Sequence, residues 1–66
     1  MELLWLRYFE TVARHESITQ AAKEHFIPQP AMSQTISRLE RELNVTLFDR
    51  KNRRIHLNDN GRRFLE

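Results

Sequence analysis

Advancing about 100° per residue, Pro30, Gln34, Ser37, Arg38 and Arg41 gather on one face of a helix, with Ser33 at its edge. An amide and a hydroxyl both donate and accept hydrogen bonds, and a guanidinium presents a fork of donors. Glu40 and Glu42 fall on the flanks. A helix that needed only solubility would mix its signs; this one points amide, hydroxyl and guanidinium outward together. A second cluster follows in Asp49-Arg50-Lys51-Asn52-Arg53-Arg54, whose four cations suit an anionic partner. Other chemistries are poorly served. His15, His25 and His56 are too far apart in sequence to form a ligand pair, and there is no cysteine, so no metal or cofactor is expected. Ser33 and Ser37 have no histidine at helical spacing, which leaves a hydrolase without its base.

The elements that position these clusters must come from 66 residues, enough for one small domain and too few for most catalytic pockets. The net charge of +2 is unevenly placed: residues 1–26 carry −1, whereas residues 27–65 carry +4. A basic half beside a near-neutral half, at pI 9.7, points to nucleic acid. No apolar run approaches the roughly 20 residues of a membrane span, and no secretory signal opens the chain, so a cytoplasmic protein is expected. One glycine and two prolines favour helices over a turn-rich sheet.

Leu3 to about Arg14 reads as a first helix. Leu6, Phe9 and Ala13 share one face and Leu4, Trp5, Tyr8 and Val12 the adjoining one, with Arg7, Glu10, Thr11 and Arg14 in the polar remainder. The apolar arc is about 200° wide, against the roughly 100° that one core contact requires. Either the helix is unusually buried or its second face meets another protein. Ser17-Ile-Thr-Gln20 is a capping box for a short helix from Ile18 to about His25, with Ala21 and Ala22 permitting a close neighbour. Pro28 breaks the chain, and Pro30 is tolerated in the first turn of a third helix from Gln29 to Leu43. Met32, Ile36, Leu39 and Leu43 form that helix's buried stripe. Val45–Phe48 and Ile55–Leu57 read as two short strands, with 49–54 as the polar tip joining them. Asn58 is an N-cap and Asp59 suits a first turn, so a last helix starts there; it looks cut in mid-course at Glu66.

Three helices and a basic hairpin make a mostly α, winged helix-turn-helix plan. DNA fits its chemistry, because Gln pairs with adenine and Arg with guanine in the major groove. Cations on a wing suit phosphates or the narrow minor groove. The segments Ser17-Ile-Thr-Gln-Ala-Ala22, Gln29-Pro-Ala-Met-Ser-Gln34, Arg38-Leu-Glu40, Leu47-Phe-Asp-Arg50 and Asn58-Asp-Asn-Gly61 resemble the N-terminal domain of LysR-type transcriptional regulators. The resemblance covers essentially the whole chain. It implies a bacterial regulator that binds double-stranded promoter DNA through residues 1–58, with 59–66 opening a linker and dimerisation helix. It also implies major-groove contacts by Gln29, Pro30, Ser33, Gln34 and Arg38, which Ser37 is expected to join from the same helix face, and a minor-groove contact by Arg53; the charge of the wing adds Arg50, Lys51 and Arg54 as expected phosphate contacts. Leu4, Trp5, Tyr8, Phe64 and Leu65 would then join two subunits into a homodimer, with a tetramer open to the full-length protein. Any small-molecule effector would act through a further domain. Three positions depart from the family pattern: Pro28 replaces a capping serine, Asn44 a glycine and Asn58 a threonine.

Several residues have simpler readings. Arg38 and Arg41 could pair with Glu42 or Asp49, and Asp49 and Arg50 could tie the wing to the helices. His25 is expected to lie against the end of its helix and His56 to be a strand residue without a role. A protein-binding winged helix would share this fold, but the outward Gln34, Arg38 and Arg41 do not favour it.

Overall fold

The structure is a computed structural model that describes residues 2–66. Its elements run α1 (Leu3–His15), α2 (Ile18–Glu24), α3 (Gln29–Leu43), β1 (Phe48–Lys51), β2 (Arg54–Leu57) and α4 (Asp59–Leu65). The first three helices pack pairwise, and the two strands form an antiparallel hairpin beside them.

The core draws on every element. Phe9 and Val12 of α1, Ala21 and Ala22 of α2, and Met32, Ile36 and Leu39 of α3 meet Leu47, Phe48 and Ile55. The Phe9 ring lies 5.6 Å from that of Phe48 and 5.4 Å from that of Phe64. The wide arc on α1 therefore has neighbours within the same chain. Trp5, Tyr8 and Phe64 are half-buried against the core, whereas Leu3, Leu4 and Leu65 stay exposed. Thr11, placed by periodicity on the polar side, is instead buried at 5% exposure. Its hydroxyl donates to the Arg7 carbonyl at 3.0 Å. That uses its one proton, so at the 2.8 Å contact with His25 it must accept from Nε2–H. His25 is the C-cap of α2, but its ring does not lie against that helix end; it packs on α1, bonded to Thr11 and edge-on to Tyr8.

The helix ends follow the capping chemistry only in part. Ser17 Oγ accepts from the Gln20 amide at 3.1 Å, but the reciprocal Gln20 side-chain bond is not formed among the described residues. No side chain caps α3 at Pro28; only its carbonyl receives the Ala31 and Met32 amides. Asn44 takes the left-handed conformation, φ 57°, that its replacement of glycine requires. Asn58 Oδ1 caps α4 by accepting from Gly61 at 2.8 Å.

The hairpin differs from the expected one. Its first strand begins three residues later and its second one residue earlier, so 49–51 and 54 belong to the strands and only Asn52 and Arg53 form the turn. Both have positive φ, 51° and 64°, the pattern of a type I′ turn, whose twist suits paired strands. Val45–Leu47 does not join the ladder because other partners hold it. The Glu40 carboxylate takes the Leu47 amide at 2.7 Å and the Phe48 amide at 3.3 Å, and Asn58 and Asn60 bind the Thr46 carbonyl.

Candidate nucleic-acid interface

Gln29 opens α3 with its side chain exposed, and Pro30 and Gln34 beside it are also exposed. Ser33 and Ser37 are half-buried at the margin of this face. Arg38 and Arg41 are exposed and, among the described residues, form no ion pair with Glu42, Asp49 or any other group. Their charge faces solvent uncompensated. The 15 residues of α3 reach roughly 22 Å at 1.5 Å each, and an α-helix fits a major groove about 12 Å wide.

The wing carries its cations on a frame the core holds. Phe48 and Ile55 are buried, and they anchor the two strands. Arg50 stands opposite Ile55, and Lys51 directly opposite Arg54. Like charges facing one another across two strands destabilise a hairpin, so Lys51 and Arg54 gain when an anion lies between or beside them. Neither Asp49 nor Arg50 ties the wing to the helices: among the described residues their side chains make no hydrogen bond or ion pair. Two carboxylates missed in the sequence do that work. Glu40 clamps the entry to β1, and Glu16 Oε2 accepts from the Leu57 amide at 2.8 Å. Both bonds join residues on separate elements, and helical periodicity carries no signal of them.

The two clusters are one surface. A groove of about 460 Å³ runs between them, lined by Gln29 from α3, Ser17 and Thr19 from the start of α2, and Arg50, Arg53 and Arg54 from the wing. Thr19 was not expected in the site; its exposed hydroxyl beside three guanidinium groups adds a donor there. Lys51 is the wing cation outside this groove, and Ser33, Gln34, Ser37 and Arg38 continue the surface along α3. Nothing in the geometry resembles a metal centre: among the described residues no group of three or more His, Asp or Glu could hold an ion. None of the helices is long and apolar enough to cross a membrane.

Leu3, Leu6, Phe9, Phe64 and Leu65 line a second groove of about 470 Å³ between α1 and α4, together with Arg7 and Glu10. Of the residues expected to join subunits, Phe64 and Leu65 stand here. Leu4, Trp5 and Tyr8 do not line it, and Tyr8 instead contacts His25.

Comparison with known proteins agrees with this geometry. The HTH-type transcriptional regulator YybE of Bacillus subtilis (strain 168) is 52% identical over 65 residues, which are 98% of this chain and 22% of that relative. BudR of Klebsiella aerogenes, also an HTH-type transcriptional regulator, is 48% identical over 66 residues, or 100% of this chain and 46% of its own length. The chain thus spans less than half the length of either. Among solved structures, the BenM DNA-binding domain in complex with benA site 1 DNA superposes with a TM-score of 0.92 at 40% identity, covering 98% of this chain and 76% of that one. The CbnR DNA-binding domain in its DNA complex gives 0.92 at 37% identity, covering 98% and 75%. The model of the bacterial regulatory helix-turn-helix protein, lysR family, a family of DNA-binding transcription regulators rather than enzymes, matches residues 3–62. With its winged fold, its amide- and hydroxyl-lined α3 and its cationic wing, this chain belongs to the lysR family.

Proposed function

We propose that the chain reads a specific double-stranded DNA site, with α3 in the major groove and the wing on phosphates and the adjacent minor groove. The observation that carries this reading is the groove that sets Gln29 of α3 beside Arg50, Arg53 and Arg54 of the wing. One rigid body thereby offers base-reading groups and anion-binding groups to the same partner. Gln29, Pro30, Ser33, Gln34, Ser37 and Arg38 face the bases, while Lys51 and Arg54 take phosphates on the flank. DNA complexes of the BenM and CbnR domains, structurally similar over 98% of this chain, support the same docking. The test is selection of binding sites from a random duplex pool, followed by titration of Gln34→Ala. A bidentate contact is worth about 1–3 kcal/mol of discrimination. Gln34→Ala should lose that much at one base position and bind unrelated duplexes as before. Equal weakening on every duplex would mean that this face does not read bases.

The chain acts in this reading as a homodimer, with the apolar groove between α1 and α4 and the exposed Leu4 covered by a second subunit. Leu3 is 69% and Leu65 45% exposed, and an apolar patch of this kind marks an interface. In sedimentation, association should rise with concentration, and Leu65→Glu should abolish it without unfolding an already exposed position. Identical monomeric behaviour of both proteins would remove the dimer.

A further inference from the structure

Glu16 sits where α1 ends, in the left-handed conformation with φ 48°, a place where a side chain that only needed to terminate the helix would be glycine. Its carboxylate reaches across 41 residues of sequence to the last residue of β2, where Oε2 accepts the Leu57 amide at 2.8 Å. The second oxygen lies 3.8 Å from Nδ1 of His56, on the same strand. Leu57 and its cross-strand partner Phe48 are a non-hydrogen-bonded pair in this register, so the Leu57 amide points to the open side of β2, where Glu16 takes it. Glu16 therefore satisfies the open edge of a two-stranded hairpin that is too small to be stable alone. It also lines the groove in which Arg50, Arg53 and Arg54 stand. A negative charge there weakens attraction to phosphate, so its position calls for a benefit other than charge.

We infer that Glu16 is a positioning residue for DNA recognition: it braces β2 against the end of α1 and so fixes the angle at which the wing delivers Arg53. The inference rests on the wing reading proposed above. Glutamine keeps the accepting oxygen and loses the charge, whereas alanine loses both. All three residues lack the freedom of glycine at this φ, so comparing Glu16→Ala with Glu16→Gln isolates the brace from charge and from the helix end.

The experiment uses the 66-residue chain and duplexes it has selected from a random pool, flanked by A·T or G·C runs. Amide hydrogen exchange at Leu57 is read in the free protein, and affinity for the two flanks is read beside Arg53→Ala. Glu16→Gln should protect Leu57 as the parent does and keep its flank preference, with somewhat tighter binding to all duplexes. Glu16→Ala should exchange Leu57 faster and bind A·T-flanked duplexes about five- to tenfold more weakly than Glu16→Gln, the worth of one hydrogen bond to a charged or polar acceptor. Equal exchange in the two variants overturns the brace whatever the DNA result. Faster exchange with an unchanged flank preference overturns its positioning role. Should Arg53→Ala itself bind both flanks as the parent does, the minor-groove reading of Arg53 fails instead, and the brace is decided by the Leu57 amide alone.

Discussion

Gly61, the chain's one glycine, is buried where α4 crosses the loop that leads into the wing. A Cβ built there would stand well inside contact distance of the Leu47 carbonyl oxygen and of Leu57 Cδ1. The leucine methyl can turn aside, but the carbonyl belongs to backbone held by Glu40, because Oε2 binds the Leu47 amide. Gly61→Ala should therefore cost about 1–3 kcal/mol, as overpacking does, read as a lowered urea midpoint with an unchanged slope. A midpoint equal to the parent's would mean that α4 is free to shift. Residues of this kind set the limit of what a sequence discloses. The outward order of Gln34, Ser37, Arg38 and Arg41 is visible from spacing alone, because one helix carries it. Thr11 is different: it is buried with His25, which follows the end of α2, as its partner, and no periodicity within α1 can announce that partner.

At the scale of elements, α1 and α2 are joined on their exposed side by one carboxylate. Glu24 accepts from His15 Nε2 at 3.0 Å and from Arg14 Nη2 at 2.7 Å. The His15 bond first, and then Arg14, hold its pKa down from 4.5 to about 2. A carboxyl lowered on folding stabilises the fold at pH above its unfolded value, and that contribution is lost as pH falls from about 4.5 towards 2. The pair is open to solvent, so the effect is small and salt shrinks it. Thermal midpoints should fall more steeply for the parent than for Glu24→Gln across that window, and the gap should narrow in high salt. Parallel curves would show that the bridge adds nothing to stability. The three helices, the Ser17 cap and the Asn58 cap of α4 were legible because caps and stripes are local properties, although the Gln20 half of the capping box does not form and no side chain caps α3. The wing was legible in kind but displaced in register. Apolar Val45–Leu47 looks like a strand, yet its amides and carbonyls are claimed by Glu40, Asn58 and Asn60. Polar 49–51 pairs as strand because the Asn52-Arg53 turn, and not the hydrophobic pattern, fixes the register.

At the scale of the molecule, the proposed function follows from bringing Gln29 of α3 and the cationic hairpin to one groove, separate from the apolar groove between α1 and α4. The body measures 30 × 27 × 19 Å, and in the proposed reading α3 and the wing tip address neighbouring grooves of one duplex. The cation run 50–54 reads from sequence as an anion-binding element by its charge alone; its proximity to Gln29, which supports that reading, is tertiary. Titration of selected duplexes against salt, for the parent, Lys51→Ala and Arg53→Ala, tests the shared surface most directly. Each phosphate contact adds about 0.9 to the slope of log affinity against log salt. Lys51→Ala should weaken all duplexes alike and flatten that slope by about one unit, and Arg53→Ala should lose most on A·T-flanked sites, where the narrow minor groove concentrates negative potential. An unchanged slope in Lys51→Ala, together with Arg53→Ala binding every flank as tightly as the parent, would contradict the account and leave recognition to α3 alone.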